Sequence, residues 1–85
     1  MIVLELAFDD NPVRLAARSA HRQRLAELHA AGLLVMAGPF ADDSGALLVF
    51  DAERSAVDRV VADDPYYAVD GVRVAGLREW SPVVG

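Results

Sequence analysis

LLVMAGPF at residues 33–40 and ALLVF at residues 46–50 are continuous apolar runs, and the loop between them, ADDSG at residues 41–45, is acidic and ends in glycine. A loop of this kind between two apolar runs predicts a β-hairpin. An antiparallel sheet with one face in water should alternate polar and apolar residues along its strands. Because both runs are apolar on both faces, we expect helices to cover one face of the sheet and something else to cover the other.

The segment before the hairpin predicts a strand and a helix. Residues 2–8 alternate in the manner of a half-buried strand, and residues 12–31 contain no glycine, and no proline after Pro12. Ala, Leu, Arg, Gln and Glu dominate the second segment, and these are strong helix formers. Gly32 falls where a helix C-cap is wanted.

The segment after the hairpin repeats the same pair of elements in reverse. The pattern of residues 51–62 predicts a second helix, which ends at Asp63-Asp64-Pro65. The last strand is predicted over residues 72–80. The order β-α-β-β-α-β predicts one ferredoxin-like α+β domain over residues 1–85, with a four-stranded antiparallel sheet and both helices on one face.

The composition narrows the class of function. The 85 residues carry 13 acidic and 8 basic side chains, and the formal net charge of −5 opposes nucleic-acid binding. All eight basic residues are arginine and there is no cysteine, which excludes a Schiff-base lysine, a lysine general base, a thiol nucleophile and a disulfide. The N-terminal apolar run is interrupted by Glu5 and is too short to span a bilayer, so we expect no membrane partner and a cytoplasmic location.

The apolar content predicts a partner for the second face of the sheet. Apolar residues make up 54% of the chain, which is high for a domain that buries only about 60–65% of its unfolded surface. A second copy of the chain is the simplest cover, giving a C2 homodimer. The alternative is an apolar patch that stays open for a ligand or an unrelated partner.

His21 is the first candidate for chemistry. It shares a helical face with Ala17, Leu25 and Leu28, so its imidazole is directed at the sheet rather than at water. Histidine titrates near neutral pH and is the commonest general acid–base group. The alternative is a core histidine whose nitrogens are satisfied by neighbours. We interpret His29, at the shoulder of the same helix, as a surface or dimer-edge residue.

Asp64 is the second candidate, and Arg18 the third. A carboxylate before Pro65 is also ordinary helix-stop and turn chemistry, and nothing local decides whether Asp63 or Asp64 meets His21. Arg18 lies one turn before His21 and could hold an anionic group of a substrate or Asp64 itself. Its alternative is a solvated helix face or a surface ion pair.

Further candidate contacts to a substrate lie at strand ends and turns. The second apolar run ends in Gly38-Pro39-Phe40, where glycine permits close approach of the backbone. For these residues, and for the hairpin-loop serine and the first tyrosine after Pro65, the alternative is turn or packing chemistry. The substrate-binding candidates are Arg18, Gly38, Pro39, Phe40, Ser44 and Tyr66.

No metal or other cofactor is predicted. His21 and His29 are eight positions apart, which is poor spacing for a shared metal, and the chain has no cysteine, HxH or HExxH motif.

An ordered set of motifs spans nearly the whole chain and resembles the YciI-like family. The matching stretches are RSAH at residues 18–21 with Leu25 and Leu28, GLLVMAGP at 32–39, DPY at 64–66 and REW at 78–80. The resemblance implies a dimeric α+β barrel, formed by two ferredoxin-like domains that meet through their sheets. It also implies an active site on a His–Asp pair, which maps onto His21 and Asp64.

The resemblance suggests a reaction class but no substrate. Most members have no assigned reaction; one activity of the superfamily eliminates chloride from a chlorinated hydroxyhydroquinone. Related dimeric α+β barrels include muconolactone isomerases and small cofactor-independent monooxygenases. The leading hypothesis is therefore lyase-like or isomerase-like proton transfer on a phenolic or enolic molecule, with His21 as base and Asp64 orienting it. The rival hypothesis is a non-catalytic dimeric module that binds a small ligand or a protein.

Overall fold

Four strands and two helices follow one another in the predicted order. The structure, a computed structural model, describes residues 1–85. Its elements are β1 (Ile2–Phe8), α1 (Val13–Ala30), β2 (Leu34–Pro39), β3 (Gly45–Phe50), α2 (Arg54–Asp63) and β4 (Val72–Glu79), with a short 3-10 helix at Pro65–Ala68. The predicted connection between α2 and β4 is thus partly helical, because Asp64 caps that turn by accepting a hydrogen bond from the backbone N–H of Tyr66.

The sheet confirms the predicted fold class. Its strand order is β2-β3-β1-β4 and all three pairings are antiparallel, as in a ferredoxin-like domain. In the central pairing, Leu4 lies opposite Leu48 and Ile2 opposite Phe50. Opposite residues point to the same side of a sheet, so these four side chains form one apolar face.

That apolar face packs against both helices. Leu28 of α1 and Val57 and Val60 of α2 join the strand residues in a single buried cluster. Phe50 and Val57 are fully enclosed within it. Burial of side chains of this size contributes roughly 1.5–3 kcal/mol each. The core therefore fixes where α1 and the end of α2 lie over the sheet.

The C-terminus of α1 is capped at Gly32, as predicted. Gly32 has a φ of +82°, which side-chain-bearing residues rarely adopt. Its N–H donates to the carbonyl of His29 and the next N–H, of Leu33, donates to the carbonyl of Leu28, at 3.1 Å each. This is a Schellman arrangement, and it turns the chain from α1 directly into β2.

β2 departs from the expected coverage. It lies at the edge of the sheet, and Leu34 is its only buried residue, whereas Met36 is 64% exposed. Met36 lies opposite Val49 on the face of the sheet away from the helices, where Leu47 and Trp80 are also exposed in the single chain. On the helix side, Ala37 lies opposite Leu48 but is exposed, because a gap between α1 and β2 forms the cavity described below. Neither helix has the length and apolar character needed to cross a bilayer.

Candidate active site

A cavity of about 680 Å³ lies between α1 and the strands β1, β2 and β3. Its volume is in the range of small-molecule sites, which is roughly 300–1,000 Å³. Most of its wall is apolar, with Leu25 from the helix and Leu34 and Leu48 from the sheet. The polar groups in the wall come mainly from α1. The cavity thus combines an apolar body with a few polar groups on a rigid helix.

His21 of α1 and Asp64 at the end of α2 are hydrogen-bonded. His21 Nδ1 and Asp64 Oδ2 are 2.8 Å apart, and both side chains are more than nine-tenths buried. The second oxygen, Oδ1, accepts the N–H of Tyr66 at 3.0 Å. Asp63, the alternative partner that the sequence leaves open, is exposed. The end of α2 therefore presents Asp64, and not its neighbour, to His21.

This bond determines which ring nitrogen is available. An ionised carboxylate only accepts hydrogen bonds, so Nδ1 of a neutral His21 carries the hydrogen and donates it. The other nitrogen, Nε2, then has a free lone pair. Nε2 makes no hydrogen bond to the protein and is not among the fully buried atoms. His21 itself lines the cavity. The arrangement leaves one proton acceptor open to the cavity.

Two tyrosines hold the imidazole ring in place. Tyr66 stacks on His21 with ring centroids 3.9 Å apart and planes 6° apart, and Tyr67 meets the ring edge-on at 5.2 Å. Burial raises the pKa of Tyr66, and it raises the pKa of Tyr67 more strongly, with the charge of Asp64 adding to the effect. Both phenols therefore stay neutral well above pH 7. The Tyr67 hydroxyl is buried without a hydrogen-bond partner.

Arg14 is a cavity residue that sequence reasoning missed. Although charged, it is only 7% exposed. Its Nε donates to the carbonyl of Asp9 at 2.7 Å, an Nη donates to Asp43 Oδ2 at 3.1 Å, and the guanidinium lies over the Phe8 ring at 4.8 Å. The spacing of the two residues could have indicated this position, since Arg14 is seven positions before His21 and therefore lies on the same face of the helix.

A family model, the YCII-related domain, matches residues 1–81. The chain belongs to this family. No curated protein matches it at a significant level. The match includes every residue of the cavity wall, so the YciI-like resemblance drawn from the sequence is confirmed at the level of the family.

The substrate-binding candidates of this YCII-related domain divide into two groups. Arg18, Gly38, Pro39 and Tyr66 line the cavity. Phe40 does not, and neither does the serine of the hairpin loop. A Cβ atom added at Gly38 would have no protein atom within 4 Å, so packing within the chain does not require a glycine at this position.

Ser44 has a structural role in the YCII-related domain. It is exposed, its carbonyl accepts the N–H of Phe8 at 2.8 Å, and its own N–H donates to Asp42 at 3.0 Å. Hydrogen bonds from Ser44 hold the pKa of Asp42 below its usual value. These contacts order the hairpin loop and do not face the cavity.

His29 is exposed, as expected, but it also borders the cavity. Its Nδ1 lies 2.9 Å from the carbonyl oxygen of Leu34 and so carries a hydrogen in the neutral ring. No group of three His, Cys, Asp or Glu side chains in the YCII-related domain is placed to hold a metal ion.

Proposed function

We propose that this YCII-related domain is a small-molecule enzyme that transfers a proton without a cofactor, with His21 as general base and Asp64 as the residue that orients it. The observation that carries the proposal is the 2.8 Å hydrogen bond between His21 Nδ1 and Asp64 Oδ2 beside a cavity of about 680 Å³. A general base needs a free nitrogen within reach of a bound substrate. The proposal is supported by Nε2, which makes no hydrogen bond to the protein and belongs to a residue of the cavity wall.

The proposed reaction begins with removal of a proton by Nε2 of His21. The proton comes from a phenolic O–H or from a carbon next to a carbonyl group, and the bonding electron pair stays on the substrate as a phenolate or enolate. Asp64 stabilises the imidazolium that forms. The electron pair then either expels a leaving group from a neighbouring carbon or takes the proton back at another carbon. These are lyase and isomerase chemistry, and general-base catalysis contributes about 10²–10⁴-fold to such rates.

An assay of proton transfer at carbon tests the proposal. Small phenols and enolisable ketones are incubated with the protein in D₂O, and NMR follows deuterium uptake at carbon, either at ring positions ortho or para to the phenol oxygen or next to the ketone carbonyl. A phenolic O–H exchanges with solvent too fast to report catalysis. We expect catalysed uptake for at least one compound, and a loss of about 10²-fold or more in His21→Asn. His29→Asn should lose much less, since His29 is tied to a backbone carbonyl. Equal uptake in the His21→Asn protein would contradict the proposal.

The proposed enzyme is a homodimer whose copies meet through the open face of the sheet. This face bears a groove of about 550 Å³ bordered by Val3, Leu47 and Trp80, and apolar surface of this kind is typical of interfaces. Sedimentation at micromolar concentration should give about twice the 9.1 kDa chain mass. Leu47→Arg should give a monomer, whereas Leu15→Arg, an exposed leucine of α1, should not. A monomeric wild-type protein would contradict the dimer. A cytoplasmic location stays a prediction from the sequence.

A second candidate function is a non-catalytic module that binds a small ligand or a protein. The packing of His21 favours it, because the residue is only 6% exposed and its ring lies against both Tyr66 and Tyr67. On this alternative, His21→Asn lowers the free energy of unfolding and no compound takes up deuterium. The exchange assay therefore separates the two functions.

A further inference from the structure

The charge of the cavity wall is opposite to that of the whole chain. Three of the eight arginines, Arg14, Arg18 and Arg22, line the cavity, and Asp43 is its only acidic lining residue. The chain as a whole has a formal net charge of −5. An apolar cavity with excess positive charge raises the local concentration of anions.

Arg14 is held in place while part of its guanidinium remains unused. Its hydrogen bonds to the Asp9 carbonyl and to Asp43 use two of the N–H donors, and the others have no partner in the protein. The bond to Asp43 shows that this guanidinium donates to a carboxylate of the hairpin loop that also lines the cavity. Its position is therefore fixed before a ligand arrives, which reduces the entropic cost of binding.

Arg18 has no protein partner at all. It is half-buried on the cavity wall and makes no ion pair or hydrogen bond, in contrast to Arg24, which pairs with Glu27 at 3.2 Å on the solvent side of α1. A partly buried charge is costly unless an opposite charge accompanies it. The missing partner is supplied if the ligand brings a negative charge.

Tyr66 lines the same cavity as these arginines. Burial raises the pKa of Tyr66, whereas the charges of Arg14 and Arg18 act to lower it, and the Tyr66 hydroxyl makes no hydrogen bond to the protein. A neutral phenol on the same cavity wall as two guanidinium groups can donate to an anion bound there.

We infer that Arg14, Arg18 and the Tyr66 hydroxyl bind the carboxylate of a small, largely apolar acid, whose body lies against Leu25 and Leu48. The inference rests on the proposed function for the place of the reacting group next to His21. Asp43 is the internal counter-ion of the site and competes with the ligand for Arg14. An aromatic or branched carboxylic acid fits both the apolar wall and the charged end.

The test compares benzoate with benzamide, which has nearly the same shape but no charge, by NMR titration of the ¹⁵N-labelled full chain. We expect benzoate to shift cavity residues and to bind at least about tenfold more tightly than benzamide, as charge-assisted hydrogen bonds imply. Arg18→Gln should weaken benzoate binding about tenfold. Arg24→Gln, on the same helix and outside the cavity, should leave it unchanged. We choose Arg18 and not Arg14 for this substitution, because Arg14 also ties the hairpin loop to the β1–α1 connection and its replacement would disturb the fold.

Two further variants sharpen the result. Asp43→Asn should raise the affinity for benzoate, and asparagine tolerates the φ of +58° at that position. His21→Asn should keep benzoate binding, so loss of proton transfer and loss of the carboxylate site are separate outcomes. Equal binding of benzoate and benzamide, no binding of benzoate, or an unchanged affinity in Arg18→Gln would overturn the inference.

Discussion

His21 and Asp64 are 43 positions apart in the chain, yet His21 Nδ1 and Asp64 Oδ2 are 2.8 Å apart in the fold. The sheet makes this possible, because α1 and the end of α2 pack on the same face over one core. Asp64 ends α2 and also caps the 3-10 helix that carries Tyr66. One residue thus ends a helix, starts the next turn and orients the histidine.

The Tyr67 hydroxyl gives a prediction about stability. It is buried without a hydrogen-bond partner, and such a group opposes folding. Tyr67→Phe should therefore leave the free energy of unfolding unchanged or raise it by up to about 1 kcal/mol. Tyr67→Ala should lower it by about 3–5 kcal/mol, because the ring belongs to the core. Urea unfolding measures both, and a loss of more than about 1 kcal/mol in Tyr67→Phe would show that the hydroxyl has a partner after all.

Alkaline pH should destabilise the protein through the same residue. Burial raises the pKa of Tyr67 in the folded state. Below about pH 10, the ordinary tyrosine value, the phenol is protonated in both states, so the free energy of unfolding does not change with pH through this group. Above that pH the unfolded chain releases the proton while the folded chain keeps it, so the free energy of unfolding falls. Between about pH 9 and 11, the free energy of unfolding should fall less steeply with pH in Tyr67→Phe than in wild type. If it falls equally steeply in the two proteins, Tyr67 is not the cause.

Replacement by alanine should destabilise the protein at one glycine and have little effect at another. A Cβ on Gly45 of β3 would overlap the carbonyl oxygen of Leu6 on β1, whereas a Cβ on Gly38 of β2 has open space. Gly45→Ala should cost about 2 kcal/mol or more, because the clash is with backbone of the central strand. Gly38→Ala should be within about 0.5 kcal/mol of wild type. Thermal or urea unfolding of the pair checks this, and equal stabilities would mean that β1 and β3 are farther apart than described.

Much of the fold could be predicted from sequence because its signals are local. The alternation in residues 2–8 predicted the observed bounds of β1, and the glycine and Asp-Pro signals predicted the C-terminal ends of both helices to within two residues. The second helix begins at Arg54, three residues later than predicted. The gap between α1 and β2, which leaves Ala37 exposed on the helix side of the sheet, could not be predicted, since it depends on how the layers pack.

The candidate site was predictable only in part, because its contacts are long-range. Periodicity placed His21 toward the sheet, but it could not choose between Asp63 and Asp64, which are adjacent and belong to another helix. Arg14 was missed although it lies on the face of His21, since an arginine on an inward face contradicts the usual preference for exposure. Its burial depends on Asp43, which the hairpin loop brings to it, and on the Asp9 carbonyl in the β1–α1 connection.

The tautomer of His21, read from long-range ¹H–¹⁵N spectra of wild type and Asp64→Asn near pH 8, tests the proposed role of the His21–Asp64 pair most directly. In wild type we predict hydrogen on Nδ1 and a free lone pair on Nε2. The carboxylate of Asp64 accepts hydrogen bonds from two donors, the His21 ring and the Tyr66 N–H, whereas asparagine has only one oxygen. In Asp64→Asn that oxygen should keep the Tyr66 N–H, and the side-chain NH₂ should face Nδ1 of His21. The ring hydrogen should then move to Nε2. His29, bonded to the Leu34 carbonyl, should keep hydrogen on Nδ1 in both proteins. A His21 tautomer that is the same in the two proteins, or that carries hydrogen on Nε2 in wild type, would contradict the proposal that Asp64 orients His21 as a base.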